Sequence, residues 1–300
     1  MTIVEADRTV VGGVDTHLSV HVAAALDGGG ALLGVEWFAA APEGYAGLLG
    51  WMASFGTVAK IGVEGAGAYG ADLTRFLHRA GIEVLEVDFP SRQTRRKRGK
   101  SDPTDAVEAA RAAHSGKAQA LAKTRDGQVE AIRALLVAKR SARQARIKAL
   151  NQIRQLAYTA PDVIRQRLKG ISSDTLAAAA ARLRPRSGGD PVVLATTVSI
   201  GLLGRRVVAL EAELDRIEAL VGKLVVATAP GLLAVYGVGV DTAAVLLVTA
   251  GDNPERVRSE AAWAHLCGVS PIEASSGKVV RHRLNRGGNR QANSACGGSS

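Results

Sequence analysis

The sequence predicts an α/β layered N-terminal domain, a long helical middle and a mostly α C-terminal part. Strand-like and helix-like segments alternate through residues 1–115, β signals then stop, and an apolar heptad seam runs from Leu203 to Leu224. Aromatics are only 4% of the chain against 47% hydrophobic residues, so the cores must be aliphatic, built from Ala, Val, Leu and Ile.

Val10–Asp15 and Val20–Asp27 are apolar, β-rich runs separated by Thr16–Ser19, and Ala31–Phe38 follows the glycine turn Gly28–Gly30. They read as three antiparallel strands. Pro42–Phe55 reads as a helix, Ala59–Glu64 as a buried strand, Ala71–Ala80 as a helix and Ile82–Asp88 as a further strand, before a helix that starts at Asp102. Three hairpin-linked strands, then αβαβ, then a helix is a ribonuclease-H-like order. Gln128–Tyr158 is helical, with Ile147, Leu150, Ile153 and Ala157 on an apolar stripe and Arg140, Arg143, Arg146, Lys148 and Arg154 decorating it. Arg182–Pro191, rich in Pro, Gly, Ser and Arg, reads as a connector. In the next helix Leu203, Val207, Leu210, Leu214, Ile217, Val221 and Leu224 repeat at coiled-coil a/d spacing. Such a seam fits either a helix packed within its own chain or a coiled-coil dimer contact. After Pro230-Gly231, Gly237-x-Gly239 leads into an apolar helix, as in a helix-hairpin-helix element whose backbone N–H groups face a DNA phosphate. A bare turn has the same pattern. The resulting domains are 1–115, 116–225 and 226–300.

Composition narrows the function. Two cysteines, Cys267 and Cys296, exclude a disulfide scaffold and offer no zinc spacing, which suits a reducing compartment. No leading segment resembles a signal peptide, and the apolar stretch Leu233–Gly251 is interrupted by Asp241 and glycines, so no membrane partner is expected. The formal net charge of +10 conceals a partition. Residues 1–91 carry 4 Lys/Arg against 11 Asp/Glu, residues 92–186 carry 23 against 7, and residues 187–300 carry 11 against 10. An acidic head thus joins a strongly basic middle, whose densest run is Arg92, Arg95, Arg96, Lys97, Arg98 and Lys100. A solvated basic loop gives such a run, but the surplus continues well beyond it, which points to a phosphate backbone.

The acids of the head suggest a metal. Asp15 ends the first strand and Glu64 the fourth, and in the order above those strands are neighbours, with ligands expected at their ends. Apolar residues precede both, so burial of each acid needs a reason. Hard divalent cations take oxygen ligands, and two Mg²⁺ ions about 3.5–4 Å apart clamp the attacking and leaving oxygens of phosphoryl transfer. Asp102 and Asp105 lie three apart, on one face of a helix. The same Asp-Pro-x-Asp also makes a helix start, with Asp102 as N-cap and Pro103 in first position. Asp88, at another strand end, competes for a ligand position. His17 is either a neighbour of the Asp15 site or simply the end of the strand; His282 belongs with the basic residues and Cys267 with the core.

These residues resemble the DEDD-type insertion-sequence transposases related to the Piv site-specific DNA invertase, a family of bridge-RNA-guided recombinases. The resemblance runs over nearly the whole chain. It rests on Gly13-Val-Asp15-Thr-His17, Glu64-Gly-x-Gly67-x-Tyr69-Gly70 and Lys100-Ser-Asp102-x-x-Asp105-Ala106. It continues in Pro230-Gly231, Gly237-x-Gly239, Ala262-x-Ala264-x-Leu266-Cys267-Gly268, Pro271, Ser275-Ser276-Gly277-Lys278 and Arg286-Gly-Gly288-Asn289-Arg290. It implies a RuvC-like N-terminal domain whose Asp15, Glu64, Asp102 and Asp105 bind Mg²⁺. It also implies a C-terminal transposase domain with a nucleophilic serine, Ser275 or Ser276, of which Ser276 directly precedes the glycine. The implied partners are insertion-sequence ends, target DNA and a guide RNA. The helical middle would hold a homodimer or homotetramer, in the cytoplasm with the nucleoid. Lys278, Arg281, Arg283, Arg286 and Arg290, with no acid among them, would neutralise phosphates. Beyond Arg290 the family pattern runs into an apolar helix, whereas here the chain reads Gln291-Ala-Asn-Ser-Ala-Cys296-Gly-Gly-Ser-Ser300. The expectation is a truncated or frameshifted copy with residues 291–300 extended or disordered. Three other functions share parts of this pattern: a RuvC-like structure-specific nuclease with no serine, an inactive nucleic-acid-binding remnant and, more remotely, an actin-like phosphotransferase.

Overall fold

The computed structural model describes residues 8–87, 101–185 and 190–297. The chain divides into two compact units. One comprises the N-terminal part up to Glu130 together with Thr249–Gly297, and the other is Ala131–Val248. Residues Asp88, Arg92, Arg95, Arg96, Lys97, Arg98 and Lys100 lie outside the described residues.

The first unit is built on β1 (Thr9–Thr16), β2 (Val20–Asp27), β3 (Leu32–Ala39), β4 (Thr57–Glu64) and β5 (Glu83–Val87). Their order in the sheet is β3-β2-β1-β4-β5, with β1 antiparallel to β2, β2 antiparallel to β3, and β1, β4 and β5 mutually parallel. This mixed sheet is compatible with a ribonuclease-H-like fold. Central β1 and β2 are buried almost end to end because helices cover both faces, while edge β3 leaves Trp37 half exposed.

Strand alternation sorts the side chains. Val10, Val14, Ile61 and Val63 point to α1 (Pro42–Ala53) and α2 (Ala71–Arg79), where they meet Leu48, Met52, Leu73 and Leu77. The opposite parity of β1 and β4, which includes Gly13, Asp15, Gly62 and Glu64, faces α3 (Asp102–His114). Helix α3 presents Ala106, Ala109, Ala110 and Ala113, an i, i+3, i+4, i+7 stripe of small residues, all buried. A Cβ on Gly13 would overlap the backbone of Ala110 and Ala106, and one on Gly62 would stand 2.7 Å from Ala109 O. Glycine in the sheet and alanine on the helix therefore let the two backbones touch. Gly13→Ala is expected to destabilise the protein by about 3 kcal/mol through overpacking against rigid backbone, read as a lower urea midpoint.

The second unit is helical: α4 (Gln128–Thr159, which begins in the first unit), α5 (Asp162–Leu168), α6 (Leu176–Ala181), α7 (Pro191–Thr228), α8 (Pro230–Leu233) and α9 (Val240–Ala250). Asp190 caps α7 by accepting from Val192 N and Val193 N, and Pro191 occupies its first turn. Helices α4 and α7 run antiparallel, fixed by the pairs Lys139–Glu218 (2.9 Å) and Arg146–Glu211 (2.7 Å). Between them Ala149, Leu150 and Ile153 meet Ile200 and Val207, while Ile132 and Leu136 meet Ile217, Val221 and Val225. Five of the seven seam residues, Leu203, Val207, Ile217, Val221 and Leu224, thus pack within their own chain. Ile147, on the apolar stripe of α4, is half exposed, because the part of the stripe that meets α7 runs through residues 149, 150 and 153. Helix α7 is long and apolar enough to cross a membrane by length and composition alone, a feature its sequence had not suggested; its buried side chains serve these cores.

At Thr249 the chain returns to the first unit, tied by three side chains. Asp252 accepts from Val129 N (2.9 Å) and Glu130 N (3.2 Å), capping the start of α4. Asn253 donates to Ala122 O (3.0 Å) and Arg256 to Leu121 O (2.9 Å). Lys123 packs there against Gly251, and burial first, then Arg256 and Arg125, hold its ammonium down to about 8. A folded value below the ordinary 10.5 means that the unfolded chain binds the proton more tightly, so this group lowers stability below pH 8 and the deficit shrinks as pH rises toward 10.5. Lys123→Met is therefore expected to be more stable than the parent at pH 7, with the gap closing by pH 10, as urea titrations at the two pH values would show.

The remaining elements are α10 (Glu260–Leu266), capped by Ser259, the hairpin of β6 (Ile272–Glu273) and β7 (His282–Arg283), and α11 (Arg290–Gly297). The last overturns the expectation of an extended tail. Asn289 Oδ1 accepts from Gln291 N (3.0 Å) and Ala292 N (3.1 Å), and Ala292 is fully buried, so a cap and one small anchor suffice to wind residues 290–297. Residues 298–300 lie outside the described residues.

Candidate active site

Asp15 and Glu64 are direct partners in the parallel register of β1 and β4, at the C-terminal ends of both strands. Both are buried, and both lie on the side of the sheet that carries α3. The first turn of that helix brings Asp102 and Asp105. The N-cap is Ser101, not Asp102 as expected from the sequence: Ser101 has extended backbone, which places Asp102 and Pro103 inside the first turn. Asp102 is thereby released from capping. Asp105 is buried. Thr16 Oγ1 donates to Glu64 O (2.8 Å), locking the two strand ends together.

His17 is the residue that sequence reasoning undervalued. Its Nε2 lies 3.0 Å from Asp15 Oδ2 and 3.5 Å from Asp102 Oδ1, bridging the strand acid to the helix acid. One ligand atom each of Asp15, His17 and Asp102 falls within 4.8 Å of the others. Its place two residues after Asp15 was the available signal; the bridge itself depends on where α3 docks. The Asp15 carboxyl is pushed above the usual range chiefly by burial, with Asp105 and Asp102 adding repulsion and His17 opposing it. A buried carboxylate, repelled by two others and accompanied by Glu64, is an oxygen-rich donor set that fits a hard divalent cation.

The turn after β4 explains the glycines of Glu64-Gly65-Ala-Gly67-Ala-Tyr69-Gly70. Gly65 has φ +74°. A Cβ on Gly70 would meet Thr16 Cγ2 at 2.9 Å. A Cβ on Gly67 would meet Arg125 Nη2 at 2.6 Å. Each glycine thus has its own reason: a left-handed turn, packing on β1 and room for a guanidinium.

Ser275 and Ser276 sit on the exposed β6–β7 hairpin. Ser276 and Val279 exchange backbone hydrogen bonds of 3.1 Å around Gly277, whose φ is +57°. Ser275 Oγ accepts from Arg281 N (3.2 Å), whereas Ser276 Oγ forms no hydrogen bond with another described residue.

A family model for DEDD-type IS110 transposases, described simply as Transposase, matches residues 12–159. A second, described as Transposase IS116/IS110/IS902 family, matches residues 230–296. The chain belongs to the IS110 family of DEDD transposases. It is a DNA transposase by family, and DNA is its partner. No curated protein matches it. The first match contains all four acids and the second both serines.

The transposase displays its described cations on several elements. Lys278, Arg281, Arg286 and Arg290 are exposed around the serine hairpin and the start of α11. Arg286 and Arg290 border a depression floored by Gly268 and Gly288, whose backbones touch. Arg140 and Arg143 are exposed on α4; Arg143 lies 3.5 Å from Asp241, and Lys139, 2.6 Å from the same acid, ties α9 to α4. Gly237 turns at φ +81°, and a Cβ on Gly239 would meet open space.

Proposed function

We propose that this transposase is the Mg²⁺-dependent, RNA-guided recombinase of an insertion sequence, cutting and rejoining DNA through a C-terminal serine. The observation that carries the reading is the convergence of Asp15 and Glu64, from adjacent strands, with Asp102 and Asp105, from one helical turn, on a single face of the sheet. In this reading the four acids hold Mg²⁺, and His17 keeps Asp15 and Asp102 at a fixed spacing. The bound cation supplies positive charge that neutralises phosphoryl oxygens and makes the attacking hydroxyl more acidic. Ser276 is the nucleophile: its Oγ bonds to phosphorus as the P–O bond to the departing strand breaks, and its proton passes to a carboxylate. Its hydroxyl is open, whereas that of Ser275 is committed to the hairpin.

Lys278, Arg281, Arg286 and Arg290 grip the phosphates near the serine. The run Arg92, Arg95, Arg96, Lys97, Arg98 and Lys100, with Arg140 and Arg143, serves DNA ends, target and guide RNA. The turn at Gly237 and Gly239 acts as a helix-hairpin-helix phosphate contact. The exposed remainder of the α7 seam joins copies into a homodimer or homotetramer, so that the acids of one copy meet the serine of another. The protein works in the cytoplasm, on the nucleoid. The test is purified protein with guide RNA, Mg²⁺, donor and target DNA. Recombinant joints are expected, and they should vanish in Asp15→Ala. Joints that persist in Asp15→Ala would overturn the metal assignment.

A further inference from the structure

Arg125 is the one non-glycine residue with positive φ among the described residues, at +53°. Such backbone costs about 1 kcal/mol or more for a residue of this kind and persists only when its surroundings fix it. Here they do: Arg75 Nη1 donates to Arg125 O (3.2 Å), and Arg75 is itself paired with Asp72. The strained backbone directs the guanidinium into the space over Gly67, in the turn that leaves Glu64. There the side chain is only 18% exposed, yet among the described residues its one ionic partner is Glu130 at 3.8 Å, and it donates no hydrogen bond to any of them. None of its nitrogens is both sealed from solvent and unpartnered, so its donors remain reachable from the surface. Its planar fork matches the geometry of phosphate oxygens.

We propose that Arg125 is a phosphate-binding residue of the acid site, holding a phosphodiester of the nucleic acid beside the turn that follows Glu64. Gly67 is glycine because a side chain would occupy the seat of the guanidinium. The inference rests on the transposase reading of this site.

The test measures binding of the full-length protein, without divalent metal, to a DNA duplex and to an RNA hairpin over a range of salt, beside thermal melting of each variant. The expected result for Arg125→Gly is a roughly 3–10-fold weaker affinity and a log–log salt slope shallower by about one unit. Its melting temperature should be equal or higher, because glycine relieves the positive φ. Gly67→Ala, which displaces the guanidinium and leaves Arg125 in place, should reproduce the binding loss, and Arg125→Lys should recover the slope but not the full affinity. The DNA and RNA arms tell which nucleic acid supplies the phosphate. Unchanged affinity and slope for both ligands in Arg125→Gly would overturn the assignment, and if that variant fails to fold, the same outcome in Gly67→Ala does so. Wild-type protein lacking salt-sensitive binding altogether would instead overturn the nucleic-acid reading of the whole site.

Discussion

Asp15→Asn is expected to abolish DNA strand cleavage, by on the order of 1000-fold or more, while leaving the metal-free protein as stable as the parent or more so. The amide keeps the shape of the carboxylate and can still accept from His17 Nε2, now 3.0 Å from Asp15 Oδ2. It removes a buried negative charge whose burial and acidic neighbours, Asp105 and Asp102, already disfavour ionisation. The site therefore trades stability for a charge that His17 offsets only in part. Melting in the presence and absence of Mg²⁺ separates the two effects. The parent should gain stability on adding Mg²⁺, because a ligand that binds the folded state shifts the equilibrium toward it, and Asp15→Asn should gain little. A variant that cleaves at the parental rate would remove Asp15 from the chemistry.

Ser276→Ala and Ser275→Ala are expected to part company. Ser276→Ala should lose strand joining by on the order of 1000-fold and form no covalent protein–DNA adduct, because in the proposed mechanism it removes the attacking oxygen. Ser275→Ala loses a hydroxyl that accepts from Arg281 N across the hairpin, and should cost no more than about tenfold through a looser hairpin. Denaturing electrophoresis of end-labelled DNA after quenching shows the adduct directly. Cleavage that survives both substitutions together, with no adduct in the parent, would favour the serine-independent nuclease. Reversal of the two effects would move the nucleophile to Ser275.

The layered order of the first unit was legible because each strand and helix advertises itself locally. Val10–Asp15 and Ala59–Glu64 are apolar runs that end in an acid, and parallel pairing of the two strands follows from the connection between them. The pairing of Asp15 with Glu64 is thus legible in the sequence. What the sequence concealed depends on contacts between distant segments. The bridge made by His17 exists only because Gly13 and Gly62 allow α3 to lie against the sheet. The seam on α7 has the same period for an intrachain and an intermolecular partner, and the pairs Lys139–Glu218 and Arg146–Glu211 set α4 beside it, while α6 packs directly on Gly204. The helix at Arg290–Gly297 was hidden by weak composition, since its start is set by Asn289 rather than by an apolar stripe. The positive φ of Arg125 leaves no mark in the sequence at all.

The return of Thr249–Gly297 to the first unit bears on how the protein is made. Translation delivers Asp15 first and Asp102 and Asp105 after it, but Asp252 and both serines emerge only after the whole of Ala131–Val248. A ribosome-bound chain that has not yet reached Thr249 carries the four acids without the cap on α4 and without the serine hairpin. Assembly of the unit that holds the acids is thereby postponed until Thr249–Gly297 has been synthesised.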